Sequence, residues 1–245
     1  MLRYDSIQSL IDAAERDGIR LSELCLRDQA EELERPEEEL YARMEESFDV
    51  MCESVRKGST AGLRSTSGLT GGEGERMLRY AEERRGGLCG SFLTRALGRA
   101  LSVSNCNAAM GRIVATPTAG SCGILPGCLV SMYEDRDIPK REVVMSIFTA
   151  GAFGMVIANT ASIAGASGGC QAECGSASGM AAAALVELSG GTPTQCGYAL
   201  GMAIVNQLGL VCDPVAGLVE IPCIKRNASG VMIAFSSADM ALSGI

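Results

Sequence analysis

Val143-Val144-Met145-Ser146-Ile147-Phe148-Thr149-Ala150-Gly151-Ala152-Phe153-Gly154-Met155-Val156-Ile157-Ala158-Asn159-Thr160-Ala161-Ser162-Ile163 contains no Asp, Glu, Lys or Arg. A charge-free run of this length has two homes, a lipid bilayer or the inside of a protein. Gly151, Gly154 and Asn159 interrupt it, Ser and Thr replace continuous Leu, Ile and Val, and no Lys/Arg cluster flanks it as a topology signal. The stretch is therefore expected to be a helix buried in a protein core, with no membrane partner. Moving outward, the charge-poor region reaches Cys212 with only Glu173 and Glu187 inside it, whereas 20 of the 29 acidic residues fall within the first 83 positions. A solvated shell and a buried centre are thus written in sequence order.

The composition says which kind of core. Hydrophobic residues make up 47% of the chain but aromatics only 4%, and Trp is absent. Bulk from Ala, Gly, Val, Ile, Leu and Met suits closely approaching helices, and no segment shows sustained period-2 alternation with turn punctuation. The expected fold class is all-α, a helical domain with Gly/Ser/Thr-rich loops between buried helices and at most one or two short strands. Ile7, Leu10, Ile11 and Ala14 repeat at helical spacing before Gly18, a C-cap residue. Residues 21–33 form a second helix. Pro36 and Glu37-Glu38-Glu39 open a third that runs to Lys57 and ends at Gly58. Helical pattern resumes near Glu75, breaks at Gly86-Gly87 and continues to Met110. Further helices are expected near 124–133, 139–162, 176–188 and 194–208, and from Asn227 onward. Residues 1–58 read as a charged N-terminal helical region and 59–245 as the domain that carries the site, the two forming one compact unit. The pattern breaks off at Ile245 in an apparently helical run, so a C-terminal truncation is expected.

Several function classes are excluded early. The formal net charge is −8 and no basic cluster stands out, so nucleic acid is not expected as a partner. Met1-Leu2-Arg3-Tyr4-Asp5 lacks the apolar core of a signal peptide, which points to a cytoplasmic protein. Eleven cysteines in a reducing compartment are not a disulfide framework. No histidine occurs anywhere, so a Ser-His-Asp triad, a Cys-His pair, His-ligated zinc and an imidazole base are all absent from this polypeptide. Three lysines, Lys57, Lys140 and Lys225, limit Schiff-base chemistry, and none sits beside a phosphate loop as a pyridoxal phosphate enzyme requires.

Four polar, glycine-bearing segments interrupt the apolar helices: 65–72, 116–123, 167–176 and 210–227. Such loops are ordinary interhelical turns or, where backbone N–H groups and small hydroxyls converge, carboxylate traps. Cys170, Cys212 and Cys223 stand in three turn-forming contexts, Gly168-Gly169-Cys170-Gln171, Cys212-Asp213-Pro214 and Ile221-Pro222-Cys223. Their separations, 42 and 11 residues, are not a CxxC pattern. Flexible Gly and Pro neighbours are nevertheless what a cluster ligand needs, because backbone must bend around an inorganic core. Cys174, four residues after Cys170, and Cys122 read as packing thiols. Cys25, Cys52, Cys89, Cys106, Cys128 and Cys196 fall on helical patterns and are expected in the core.

These segments resemble a known family, the alpha chain of the iron–sulfur-dependent L-serine dehydratases. The similarity is densest in Thr66-Ser67-Gly68-Leu69-Thr70-Gly71-Gly72, Ala115-Thr116-Pro117-Thr118-Ala119-Gly120-Ser121-Cys122-Gly123-Ile124-Leu125-Pro126, Gly168-Gly169-Cys170-Gln171, Cys212-Asp213-Pro214-Val215-Ala216-Gly217-Leu218-Val219 and Ile221-Pro222-Cys223-Ile224-Lys225-Arg226-Asn227-Ala228. The resemblance implies that Cys170, Cys212 and Cys223 hold a [4Fe–4S] cluster. It also implies that Ser65, Thr66, Ser67, Gly68, Gly71 and Gly72, with Thr118, Ala119, Gly120 and Ser121, bind the substrate L-serine. Three thiolates leave one iron of a cubane open as a Lewis acid for the serine hydroxyl. The missing imidazole implies that the catalytic base, unassigned here, comes from a beta chain in a heteromer. Carboxylates near the motifs are few: Glu173, Asp213, which more naturally shapes the Cys212 loop, and Glu220. A related lyase such as an L-cysteine desulfidase and a non-catalytic iron–sulfur subunit remain the competing readings.

Overall fold

The computed structural model describes residues 4–245; Met1-Leu2-Arg3, on which the reading of the N-terminus partly rests, lies outside them. The described residues form ten α-helices and no strand, apart from an isolated bridge between Val215 and Leu218. In chain order the helices are α1 (Ile7–Asp17), α2 (Leu21–Leu33), α3 (Glu37–Gly58), α4 (Glu73–Glu83), α5 (Gly90–Ala108), α6 (Ile124–Asp135), α7 (Lys140–Thr160), α8 (Gly165–Leu188), α9 (Pro193–Val205) and α10 (Ile221–Leu242).

Helix α7 is the charge-free stretch, and its surroundings explain the missing charges. It is the described helix long and apolar enough to cross a membrane, yet most of it is buried inside the fold, packed against α2, α3 and α8. Val143, Val144, Phe153 and Val156 are essentially inaccessible. Helix α8 packs on α9, α10, α7 and α6 at once. That is possible because its inward positions are small: Ala177 and Ala181 to Ala184 are fully buried and leave room for neighbours on several sides. The acidic N-terminal helices bury one face, including Leu10, Leu24, Phe48 and Met51, and turn most of their carboxylates outward, Asp28 being buried. Ser6 and Ser9 cap α1 reciprocally, and Gly18 closes it with φ 65°. One continuous core runs from Leu10 to Ala241.

Two helices start earlier than the sequence pattern suggests. Residues 167–176, expected as a loop, lie inside α8, whose backbone breaks only at Gly169 (φ 73°, ψ −178°). Glycine density hid this helix, because the small residues there serve a close approach and not a turn. Helix α10 begins at Ile221, six residues before the expected Asn227, with Pro222 in its first turn. Cys170 and Cys223 are therefore on helices and only Cys212 is on a loop. Cys89, expected in the core, is exposed at the N-cap of α5. Arg99 of α5 clamps α6 through Asp135 at 2.6 Å and Ser131 at 2.9 Å.

Candidate active site

Cys170 and Cys223 meet where two helices begin. Together with Glu173 they form a group whose ligand atoms all lie within 4.8 Å of one another. Gly169 makes this corner possible. Its left-handed φ lets α8 restart at Cys170, and a Cβ there would come within 2.8 Å of the Leu210 carbonyl oxygen. The segment 209–212 lies against that restart: the Gln171 N–H donates to the Leu210 carbonyl at 2.9 Å, and the Gly209 N–H donates to Gln171 Oε1 at 2.8 Å. Arg226 on α10 ties the three sequence segments together. Its Nη1 donates to Cys170 Sγ and to the Val211 carbonyl, both at 3.0 Å, and pairs with Asp213 at 2.6 Å. Cys212, between Val211 and Asp213, is thus held at the corner's edge, exposed and outside the 4.8 Å group.

Burial dominates the electrostatics of this corner. Burial, with the neighbouring Cys170 and Glu173, pushes the Cys223 thiol up to about 12, and Arg226 only partly offsets them. A protonated thiol of this kind ionises when a metal compensates its charge, so metal binding there would release protons. Burial works against the Arg226 charge, but Asp213 and Cys170 outweigh it and keep the guanidinium protonated. Cys174 is fully buried and its thiol is pushed far up by burial, as a packing thiol would be. Cys122, also fully buried, is pushed up to about 12 by burial.

The two hydroxyl-bearing loops flank a cavity of about 220 Å³ whose wall includes Asn107, Ala119, Gly120, Glu220, Cys223 and Asn227. In the first loop, Ser65 and Thr70 to Gly72 are buried while Thr66 to Leu69 are exposed. Ser67 donates its hydroxyl to Glu220 at 2.6 Å, and the Thr70 hydroxyl also donates to Glu220. Its backbone is equally occupied. The N–H groups of Ser65, Thr66 and Gly68 bond to the carbonyls of Thr70, Ala108 and Ser65, and those of Leu69, Thr70 and Gly71 bond to Ser67 Oγ, Ser65 Oγ and Glu73. Burial opposes the charge on Glu220, yet hydrogen bonds from Ser65, Ser67 and Thr70 hold its carboxyl below the usual glutamate range.

The second loop is organised by Asn227, which is 1% exposed. Its Nδ2 donates to the Gly120 carbonyl at 2.7 Å and to the Cys223 carbonyl at 2.8 Å, while its Oδ1 accepts from the Gly123 N–H at 2.8 Å. Thr118 donates its hydroxyl to Glu173, and Ser121 lies 3.1 Å from Thr118 Oγ1. Gly120 must be bare here, because a Cβ would come within 2.6 Å of Glu173 Oε1. Among the described residues, no acceptor engages the N–H groups of Ala119, Gly120 or Ser121.

The structure therefore brings Cys170 and Cys223 together, places Cys212 beside them, and sets both loops near the same cavity. Sequence reasoning passed over Arg226 and Asn227 and gave Glu173 and Glu220 no binding role. A signal existed: Cys223, Arg226 and Asn227 are spaced i, i+3, i+4, and Glu220 is i−3, so all share one face once α10 is known to begin before Cys223.

A family model described as serine dehydratase alpha chain matches residues 16–245. A probable L-serine dehydratase alpha chain of Bacillus subtilis (strain 168) is 46% identical over 242 residues, spanning 99% of this chain and 80% of the relative. The L-serine dehydratase alpha chain of Peptoniphilus asaccharolyticus is 44% identical over 241 residues, 98% of this chain and 82% of the relative. An L-serine dehydratase of Mycobacterium tuberculosis (strain CDC 1551 / Oshkosh) is 40% identical over 255 residues; the match spans 99% of this chain but 54% of that longer relative.

Proposed function

The chain belongs to the serine dehydratase alpha chain family, and from that premise we propose that it is the alpha chain of an enzyme that dehydrates L-serine to pyruvate and ammonia. Cys170, Cys212 and Cys223 hold a [4Fe–4S] cluster in this reading. The observation that carries it is the meeting of the Cys170 and Cys223 sulfurs within 4.8 Å at the edge of a small cavity. The donor set fits such a group: two sulfurs from different helical segments stand close together, and Cys212 stands on the adjoining loop. When bound, the cluster supplies a Lewis acid to the leaving hydroxyl of the substrate. Loss of the Cα proton and the β-hydroxyl as water gives aminoacrylate, which tautomerises and hydrolyses to pyruvate and ammonia.

The chain's own residues bind and orient. The free N–H groups of Ala119, Gly120 and Ser121 are suited to the substrate carboxylate, and the 65–72 loop holds Glu220, which lines the cavity. A base for the Cα proton is supplied by a partner beta chain. Three features support that partner. The sequence contains no histidine. The chain spans 80% of an alpha-chain relative but 54% of a relative called simply L-serine dehydratase. Val205, Leu208, Val211, Val215, Leu218 and Val219 stand exposed beside the site, an apolar surface of the kind that partners cover.

Iron and sulfide analysis of Ala variants tests the cluster. Cys170→Ala, Cys212→Ala and Cys223→Ala are each expected to lose iron and serine turnover, while Cys174→Ala and Cys196→Ala keep both; full iron in any of the first three would remove that cysteine from the ligand set. Adding the beta chain is expected to raise serine turnover by the factor a well-placed general base contributes, about 10²–10⁴.

A further inference from the structure

We propose that Glu220 is the group that recognises the α-ammonium of the amino-acid substrate. The inference rests on the serine reading above and adds to it an orientation for the bound molecule.

The argument begins with a count of hydrogens. A serine or threonine hydroxyl has one hydrogen to donate. Ser67 and Thr70 both give theirs to Glu220, and Ser65 stands 3.2 Å from Ser67 Oγ as it accepts the Thr70 N–H. The backbone N–H groups of Ser65, Thr66 and Gly68 to Gly71 are likewise committed inside the chain. A segment whose composition suits anion capture thus has most of its donors already used. What it presents to the cavity is a carboxylate, since Glu220 lines the cavity wall.

That carboxylate has no cationic partner of its own. Among the described residues, no Lys or Arg forms an ion pair with Glu220, whereas nearby Asp213 is paired with Arg226. A charge held in place by hydroxyl donors and left without a counter-ion at a cavity wall is complementary to an ammonium. Across the cavity the polarity reverses. Ala119 and Gly120 line it, and their N–H groups are unengaged among the described residues. A free amino acid carries one cationic and one anionic group, and the two walls match them in turn. The substrate carboxylate goes to the 118–121 loop and the ammonium to Glu220, with Cys223 lining the same cavity. The volume of about 220 Å³ lies below the roughly 300–1,000 Å³ of drug-sized sites and suits a small amino acid.

The test uses the cluster-loaded alpha chain with its beta chain and two ligands, L-serine and 3-hydroxypropionate, which keeps the carboxylate and hydroxyl but has no ammonium. Glu220→Gln is expected to raise the KM for serine about 10- to 100-fold, the range for losing a hydrogen bond to a charged group. The inhibition constant of 3-hydroxypropionate should stay level or fall, and the iron content and visible spectrum should not change. Glu220→Asp, which keeps the charge, should recover most of the preference for serine, and thermal denaturation of both variants checks that they fold. An unchanged ratio between the two ligands in both variants would overturn the proposal. So would tighter binding of both ligands together, the mark of a side chain that merely occupies the place of the substrate carboxylate. Wild-type enzyme that neither turns over nor binds serine would instead overturn the parent reading.

Discussion

Residues 65–72 and 116–123 are both rich in Ser, Thr and Gly and lie near one cavity, yet they spend their donors differently. The first has its hydroxyls and most of its amides engaged, and it holds a carboxylate, Glu220. The second is fastened from behind by Asn227 and keeps the N–H groups of Ala119, Gly120 and Ser121 free of acceptors among the described residues. Their anchors differ in kind as well. Asn227 is buried and uncharged, whereas Glu220 is half-buried, ionised and mounted on the segment that also carries Cys212. Composition marks a loop as polar; the residue that anchors it decides which polarity reaches the cavity.

The largest effect should come from breaking the neutral anchor. Asn227→Leu leaves the buried Gly123 N–H and the half-buried Gly120 carbonyl without their partner, while the Cys223 carbonyl keeps its helical bond. At roughly 1–3 kcal/mol for the buried group and less for the half-buried carbonyl, a stability loss of about 2–4 kcal/mol is expected in urea unfolding. A loss below about 1 kcal/mol would mean that the second loop is held by something else. Next in size is Ser121→Ala, which removes a fully buried hydroxyl beside Thr118. We expect kcat/KM for serine to fall roughly 10- to 150-fold, the equivalent of about 1.5–3 kcal/mol. Wild-type kinetics would move the carboxylate site away from this loop.

The smallest effect separates the anchors by pH. The Glu220 carboxyl lies below its ordinary value of 4.5, so its contribution to holding the first loop is complete above that value and disappears as pH falls through the lower, folded one. Asn227 has no proton to gain. Amide exchange at Leu69 and Thr70 should therefore quicken relative to Gly123 as pH falls below 4.5, after correction for intrinsic rates. Equal behaviour at the three amides would erase the distinction between the loops.

Much of this molecule was legible before any coordinates. The helix boundaries of α1 and α2 followed from periodicity and from the cap at Gly18, because capping and amphipathic burial act over a few residues. The apolar run in α7 announced a buried helix because nothing in it could be solvated by itself. The absence of histidine settled which bases this chain lacks. Glycine-rich α8 misled, since Gly169 alone breaks the helix while its neighbours Gly165, Gly168 and Gly175 are helical. No local rule separates those roles, because they depend on what approaches from elsewhere, here the Leu210 carbonyl.

Residue identities and their local spacing determined the all-α class, the shell and the core, and the set of thiols and hydroxyls available for chemistry. Tertiary structure alone decided that Cys170 and Cys223, far apart in the chain, meet at two helix starts. It also decided that Arg226 binds three segments into one corner, and that Glu220 takes up the donors of a loop about 150 residues away. The physical reason is that a hydroxyl or an amide carries no fixed role. Each has a single hydrogen, and whether it serves the chain or a ligand depends on which acceptor the folded backbone brings within 3 Å.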